Sequence, residues 1–379
     1  PFWSSPAFVE DLGQLIQRQS IDILIGAHDD VVVCLAELAQ QDKLCGAKLL
    51  GSSLRTCNIA RSKSATYEWL AKEIRVPRLY THDQLTQVSY PIFAKPDKGQ
   101  GSRGTRLVNS SREAADVHRS NPDLLLMEFL PGPEYTIDCL SDLAGNLQFC
   151  SPRQRSRTSN GISIETSLVR DPEIDRIANC ISKHIEFHGP WFFQLKKDST
   201  GAYCLLEVAP RIAGSSSIQR FNGVNLPLLG VMQLLGHRVS VNFSGDIKTT
   251  TRGLATACPN APKIENLYID LDDTLICDDQ INWQVLATAM RIRAQGTSTH
   301  VLTRHGARHA ESAESYLRRF RIPIEWFDTI IEVPENNNKS EFMAKHGSCL
   351  IDDSFSERAS AIAHGAISFD IQEFIEIYR

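Results

Sequence analysis

The stretch Trp191–Arg211 reads WFFQLKKDSTGAYCLLEVAPR, with two apolar runs on either side of a polar turn. The turn at 198–201 is rich in residues that favour chain reversal, so the pattern predicts a β-hairpin. Strand alternation places Gln194 on one face of the first strand, and places Leu205 and Glu207 on one face of the second. An amide and a carboxylate on neighbouring strands offer Mg²⁺ the oxygen ligands that it prefers. A plain buried hairpin explains the same pattern equally well.

The composition is typical of a globular protein with more than one domain. The chain has 379 residues, of which 42% are hydrophobic and 22% are charged. A net charge of −5 and a pI near 6.2 give no electrostatic reason to bind nucleic acid or an anionic membrane. The ten cysteines form no C-x-x-C pair, which argues against a zinc site and favours the reducing cytoplasm.

The N-terminal region predicts one strand–helix unit of an open α/β sheet, with a strand at Ser20–Ile25 and a helix at Val31–Ala39. Because one such unit makes a poor sheet, we expect a preceding strand–helix–strand to be missing before Pro1. Further along, periodicity predicts helices at Ser62–Ile74, from Pro172 to a stop at Gly189-Pro190, and at Leu226–Leu235, and strands at Tyr90–Ala94, Thr105–Val108, Leu124–Leu130 and Tyr135–Leu140.

The loop Asp97–Gly104 carries three glycines in six positions. Such a loop brings backbone amides, here those of Gly101 and Ser102, against phosphate oxygens, although glycine-rich turns are also common in hairpins. Lys95 stands directly before the loop and Lys63 opens a predicted helix. Lysine is a compact charge suited to phosphate, but either residue is also explained as a solvated surface side chain.

Five motifs follow one another in the order of the ATP-grasp superfamily: Lys63 ahead of a helix, YPIFAKPDKGQGSRGT, LLLMEFLPGPEYTID, PRQRSRTSNG and FFQL…CLLEVAPRIAGSS. The match runs from about Ile21 to Cys258. Within the superfamily, it resembles most the carboxylate–amine ligases of the type related to the carbamoyl-phosphate-synthetase large chain. The resemblance implies ATP and Mg²⁺ as cofactors. It also implies that an acyl phosphate forms and that an amine displaces its phosphate to give an amide, from small-molecule substrates such as amino acids.

The resemblance also implies site residues. Ala209 stands where the family usually has an asparagine ligand, which puts full activity in doubt. His28 and Asp29 resemble substrate-side positions, and for Asp29 a helix-capping role is an equal alternative. The implied roles are Lys63, Lys95, Gly101 and Ser102 for the ATP phosphates, Glu128, Phe129 and Leu130 for adenine, Glu134 for ribose, Gln194 and Glu207 for Mg²⁺, Arg211 for the transferred phosphoryl group, and Arg153 and Arg155 for phosphate or a substrate carboxylate.

The C-terminal part of the chain contains a second acidic motif. The stretch Leu267–Ile276 reads LYIDLDDTLI and predicts a strand that delivers Asp270 and Asp272. Such a pair can act as nucleophile and general acid/base when a metal relieves its repulsion, and an acidic turn is the plain alternative. Thr303 ends one predicted strand, Lys339 opens a predicted helix, and Asp352-Asp353 end another predicted strand. All are predicted at the carboxyl ends of parallel strands, where open α/β sheets place their sites. The predicted strands are Leu267–Ile269, His300–Leu302, Thr329–Val333, Cys349–Ile351 and Ala366–Phe369.

These motifs resemble the haloacid dehalogenase (HAD) superfamily of phosphatases over Ile264–Arg379. The resemblance implies Asp270 as nucleophile, Asp272 as acid/base, and Thr303 and Lys339 as ligands of the phosphoryl group. A degenerate regulatory domain is the alternative. The intervals between motifs leave no room for an inserted cap domain. The implied Mg²⁺ residues are Asp270, Asp272, Asp352 and Asp353.

We therefore predict an α/β and α+β multidomain chain, with a partial pre-ATP-grasp region at 1–60, an ATP-grasp domain at 61–258 and a small doubly wound, capless HAD-like domain at 259–379. The function predicted is a carboxylate–amine ligase fused to a Mg²⁺-dependent phosphatase that acts on a related phosphorylated metabolite. One alternative is a phosphatase with a catalytically weak, regulatory ATP-binding module. Another is a binding protein in which neither site turns over. The sequence is compatible with a homo-oligomer.

Overall fold

The computed structural model describes residues 5, 7–99, 103–159, 162–253, 258 and 261–378. Gly101 and Ser102, which the sequence predicts to bind phosphate, lie outside these residues. The chain divides into two compact units, Pro1–Gly253 and Leu254–Arg379. The separate domain predicted at 1–60 stays a prediction. In the described part of the chain, no helix combines the length and the apolar character that crossing a bilayer requires.

The described residues of the first unit form three sheets. Strands β1 and β2 form a parallel pair, a four-stranded sheet has the order β3-β6-β4-β5, and a six-stranded sheet has the order β11-β10-β7-β8-β9-β12. The elements in chain order are α1 Phe8–Gln19, β1 Ile23–Ile25, α2 Asp29–Gln40, β2 Lys48–Leu50, α3 Leu54–Arg61, α4 Lys63–Leu70, β3 Leu79–Tyr80, β4 Ile92–Pro96, β5 Arg106–Val108, α5 Ser111–Ser120, β6 Leu124–Glu128, β7 Glu134–Ser141, β8 Leu147–Ser159, β9 Ile162–Leu168, α6 Pro172–His184, β10 Gly189–Lys197, β11 Tyr203–Ala209, α7 Ser217–Phe221, α8 Leu226–Leu234 and β12 Thr249–Thr251.

Helix α6 covers one face of the large sheet. The Asp171 side chain caps it and Pro172 is its first residue, as predicted. It ends at His184, so Gly189-Pro190 begins β10 and does not mark the helix end. The ring of Trp191 in β10 stacks on Phe187 with centroids 4.2 Å apart. The buried face of the helix packs into the same apolar cluster through Ile174, Ile177, Ala178 and Ile181.

The predicted hairpin forms from β10 and β11, but one predicted face is wrong. Gln194 pairs with Glu207, whereas Leu195 pairs with Leu205, so a β-bulge at Leu206 interrupts the alternation. Leu205 is completely buried with Leu195 in the apolar core. Glu207 lies on the opposite face with Gln194. The bulge therefore separates the carboxylate from the core side chains, which regular alternation would not do.

The second unit is a five-stranded parallel sheet in the order β17-β16-β13-β18-β19. All five strands occur where the sequence predicts them. The chain adds strands first on one side of β13 and then on the other, which is the doubly wound topology. Within residues 261–378 no further domain is inserted between the strands. The elements are β13 Asn266–Ile269, β14 Ile276–Cys277, β15 Gln280–Ile281, α9 Trp283–Arg293, β16 Ser298–Thr303, α10 His305–Arg308, α11 Ala313–Arg319, β17 Thr329–Glu332, β18 Ser348–Ile351, α12 Phe355–Ala363, β19 Ile367–Phe369 and α13 Ile371–Ile377.

The bulge predicts different effects for two adjacent leucines. Leu205→Ala removes a completely buried side chain and should lower the free energy of unfolding of the first unit by about 2–5 kcal/mol. Leu206→Ala, at a half-buried position that faces the cavity described below, should cost clearly less. Urea denaturation of both variants measures the difference. A larger loss for Leu206→Ala would show that the strand alternates without a bulge.

Candidate active sites

One cavity of about 340 Å³ in the first unit brings most of the predicted ligase residues together. Its walls come from both larger sheets and from the start of α4. The predicted residues that line it are Lys63, Lys95, Glu128, Phe129, Leu130, Glu134, Arg153, Arg155, Gln194, Glu207 and Arg211.

Two buried lysines face this cavity. The ammonium of Lys63 donates to the backbone oxygens of Asp97, at 3.0 Å, and Gly99, at 3.3 Å. The ammonium of Lys95 donates to the backbone oxygen of Leu206, at 3.3 Å. Burial lowers the pKa of both lysines, that of Lys95 to about 8, although the nearby Glu207 acts in the opposite direction. Neither ammonium forms an ion pair within the described residues, so both charges can serve an anionic ligand.

The donor set of the hairpin fits Mg²⁺. Gln194 and Glu207 face each other across the strand pair and line the same cavity as the lysines. An amide oxygen and a carboxylate are hard ligands, and Mg²⁺ commonly keeps several waters beside such protein ligands. Ala209 is buried against Phe192 and Ala213, and it contributes no side-chain oxygen.

Arg211 is tied to the N-terminal part of the unit. Its guanidinium contacts both carboxylate oxygens of Asp29, at 2.6 and 2.7 Å, and lies over the ring of Phe192 at 5.0 Å. The N-cap of α2 is His28, whose Nδ1 accepts from the backbone N–H of Asp30. The alternative capping role for Asp29 is therefore wrong, because Asp29 is the first helical residue and its carboxylate engages Arg211.

Four further charged residues that line the cavity, Glu128, Glu134, Arg153 and Arg155, form ion pairs. Arg155 forms an ion pair with Glu134, the residue predicted for ribose. Glu128 accepts from Arg75 at 2.6 Å. Arg153 is completely buried, and its guanidinium contacts both oxygens of the equally buried Asp138, at 2.7 and 3.3 Å. A remaining N–H of Arg153 donates to the hydroxyl of Ser215 at 2.8 Å. Arg153 is thus part of a buried ion pair at the base of the cavity.

The second unit assembles a compact acidic site around one cation. The ammonium of Lys339 lies 2.6 Å from Asp270 and 2.7 Å from Asp352, and all three side chains are buried. Carboxylate oxygens of Asp270, Asp352 and Asp353 lie within 4.8 Å of one another. The backbone N–H of Asp353 donates to Thr274 Oγ1 at 3.1 Å, which joins the loops after β13 and β18. Thr303 is the buried last residue of β16, the neighbouring strand.

The electrostatics of this site show an excess of negative charge. Burial and the repulsion of Asp352 raise the pKa of Asp270 to about 7, although Lys339 acts in the opposite direction. Burial also raises the pKa of Asp352. Burial by itself lowers the pKa of Lys339, but Asp270 and Asp352 outweigh it and the pKa is raised. Three clustered carboxylates with one ammonium fit a divalent cation, because such an ion removes the repulsion between them.

Comparison with known proteins identifies one family model that matches part of the first unit. Residues 120–253 match the family model described as ATP-grasp in the biosynthetic pathway with Ter operon. Uncharacterized protein y4rH of Sinorhizobium fredii is 24% identical over 212 residues, which are 52% of this chain and 42% of that protein. The biotin carboxylase domain of Hydrogenobacter thermophilus 2-oxoglutarate carboxylase, a structure with MgADP and bicarbonate, has a TM-score of 0.55 at 15% identity and covers 65% of this chain.

N5-carboxyaminoimidazole synthetase from Staphylococcus aureus, a structure with ADP, has a TM-score of 0.54 at 15% identity and covers 64% of this chain and 68% of its own. The family-model match supports the ATP-grasp superfamily for residues 120–253, and the two solved structures show a similarity of fold at 15% identity. The chain spans less than two thirds of two of these relatives, 42% of the Sinorhizobium protein and 61% of the Hydrogenobacter domain.

The cavity of the first unit has further lining residues that the sequence did not assign. Lys196 follows from the alternation of β10, because it shares a face with Phe192 and Gln194. Arg103 and Arg252 carry no pattern that marks them before the fold is known. The unassigned lining residues include Phe93, Arg103, Thr105, Met127, Phe192, Lys196, Leu206 and Arg252.

The excess negative charge of the second unit predicts a stability effect. Folding raises the pKa of Asp270 from its ordinary value of 3.8 to about 7. The stability that Asp270 contributes is therefore complete below pH 3.8 and is lost as the pH rises to about 7. Asp270→Asn should therefore raise the free energy of unfolding at pH 8 by on the order of 1 kcal/mol when no divalent cation is present. Thermal unfolding with and without Mg²⁺ measures this. Equal or lower stability of the variant at pH 8 would contradict the prediction.

Proposed function

We propose that the first unit is an ATP-dependent carboxylate–amine ligase. The observation that carries the proposal is the cavity in which two buried lysine ammoniums, without ion-pair partners in the described chain, face the Gln194 and Glu207 pair. A triphosphate with Mg²⁺ supplies the complement of this arrangement, anionic oxygens for the lysines and a cation for the two oxygen ligands. ATP and Mg²⁺ as cofactors are supported by neighbours whose structures contain ADP and magnesium.

The side chains of the cavity have separate roles in the proposed reaction. Lys63 and Lys95 bind phosphate oxygens, and Arg211 stabilises the charge that develops when a carboxylate oxygen attacks the γ-phosphorus. ADP leaves, and an amine then displaces phosphate from the acyl phosphate to form an amide. Glu128, Phe129 and Leu130 line the end of the cavity proposed for adenine. Gln194 and Glu207 would hold Mg²⁺, which would supply positive charge to neutralise the phosphates.

A second function is proposed for the second unit, a phosphatase of the HAD type. The observation that favours it is the contact of Lys339 with both Asp270 and Asp352, next to the third carboxylate, at the carboxyl edge of a doubly wound sheet. An oxygen of Asp270 attacks the phosphorus of a phosphorylated metabolite, and Asp272 gives a proton to the leaving oxygen. Asp270, Asp352 and Asp353 would hold Mg²⁺, which would supply positive charge against these carboxylates and the phosphoryl group. If Ala209 weakens the ligase, the first unit serves this phosphatase as an ATP-binding module instead.

The ligase proposal predicts the loss of nucleotide binding from single substitutions. Lys95→Ala and Glu207→Gln should each weaken Mg-ATP binding at least about 10-fold, because each removes a charge that contacts the nucleotide or its metal. Lys98→Ala is the matched control, since Lys98 is exposed in the same loop region and does not line the cavity. Calorimetry measures the affinities, and ADP release with pooled amino acids measures turnover. Unchanged affinity in both site variants would contradict the proposal.

The phosphatase proposal predicts that phosphate release depends on Asp270. Asp270→Asn should abolish Mg²⁺-dependent hydrolysis of para-nitrophenyl phosphate, because an amide cannot act as the nucleophile. Asp273→Asn is the control, since Asp273 is exposed and has a positive φ of 56°, which asparagine tolerates well. Colorimetric assay of the purified full chain measures both. Equal activity in wild type and Asp270→Asn would assign the hydrolysis to another source.

A further inference from the structure

His305 is a buried histidine that no motif assigns, and it contacts two residues of the second site. Its Nδ1 lies 2.8 Å from Oδ1 of Asp272. Its backbone N–H donates to Oγ1 of Thr303 at 3.1 Å. The side chain of His305 is only 3% exposed, whereas that of Asp272 is 23% exposed. His305 therefore reaches, from inside the unit, the carboxylate that is open to a ligand.

The ring of His305 is held in one orientation. It stacks on Tyr316 of α11 with centroids 4.2 Å apart, and the tilted ring of His309 contacts it with centroids 4.5 Å apart. Its Nε2 is buried and has no hydrogen-bond partner among the described residues. Among the described residues, the imidazole therefore makes its hydrogen bond only through Nδ1, to Asp272. A carboxylate oxygen accepts, so Nδ1 is the donor when Asp272 is ionised.

We propose that His305 is a positioning residue for Asp272, which rests on the proposed phosphatase function of this site. The hydrogen bond from Nδ1 occupies Oδ1 and fixes the rotamer of the carboxyl group. The proton that Asp272 transfers is then confined to Oδ2, the oxygen that His305 does not contact. The packed imidazole thereby directs one defined oxygen towards the leaving group, as general acid catalysis requires.

An oxygen of Asp270 forms a bond to phosphorus, the bond from phosphorus to the leaving oxygen breaks, and the Oδ2 proton of Asp272 passes to that oxygen. Asp272 then takes a proton from the water that attacks the aspartyl phosphate, and the bond to Asp270 breaks to release inorganic phosphate. A leaving group that is stable as an anion needs no proton in the first step. The contribution of His305 should therefore depend on the leaving group.

The test compares kcat/KM for two substrates, para-nitrophenyl phosphate and glycerol 2-phosphate, in the full chain with Mg²⁺. His305→Phe keeps a ring in the stack but removes the donor, and should lower kcat/KM about 100-fold for the alkyl phosphate but less than about 5-fold for the nitrophenyl ester. His305→Asn places an amide N–H near the position of Nδ1 and should recover most of the loss. His346→Asn, at an exposed histidine of the same unit, is the control for the substitution itself.

The ratio of the two substrates on one sample is independent of how much of it is folded, so poor folding of His305→Phe does not mask the result. An equal loss on both substrates, or no recovery with asparagine, would overturn the positioning role while leaving the phosphatase intact. Hydrolysis that is unaffected by Asp270→Asn would instead overturn the phosphatase, and the role of His305 with it. A stoichiometric zinc ion that is lost from both His305→Phe and His309→Phe would replace the proposal with a metal site.

Discussion

The β-bulge between β10 and β11 is the constraint on which the first unit depends. Unbroken alternation would place Leu205 and Glu207 on the same face, so either a leucine would line the cavity or an unpaired carboxylate would enter the core. Burying such a charge is far costlier than the local irregularity of a bulge. The extra residue lets α6 cover an apolar face of the sheet. The other face carries Gln194 and Glu207 and lines the cavity that both lysines also line.

The two sites carry opposite electrostatic excess. The first unit buries two ammoniums whose pKa values burial lowers, and the second gathers three carboxylates around one ammonium. Each arrangement opposes folding on its own, and each is relieved by a ligand of the opposite charge. We interpret both as sites that lower the stability of the folded chain and bind a charged ligand, an anion in the first unit and a cation in the second. A structural ion pair, such as Arg153 with Asp138, shows no comparable excess.

The sequence predicted those elements whose pattern lies within one short stretch of the chain. The five strands of the second unit are short apolar runs between helices, so they could be predicted to within two residues. The strands β8 and β9 were missed because they are polar, and because β8 carries the PRQR motif, which resembles a loop. The pairing of Asp29 with Arg211 joins residues 182 positions apart, and no local pattern encodes it. The ring stack that fixes His305 likewise depends on α11, which packs there only in the folded unit.

The ion pair of Asp29 with Arg211 has a thermodynamic consequence for the ligase cavity. A guanidinium presents a limited set of N–H donors, and Asp29 engages two of them. An incoming anion that requires the same donors competes with the first turn of α2, so its apparent affinity includes the free energy of releasing that helix. By reciprocity, such an anion loosens α2 by the same amount that α2 weakens its binding. The packing of α2 and the occupancy of the cavity are thus linked equilibria.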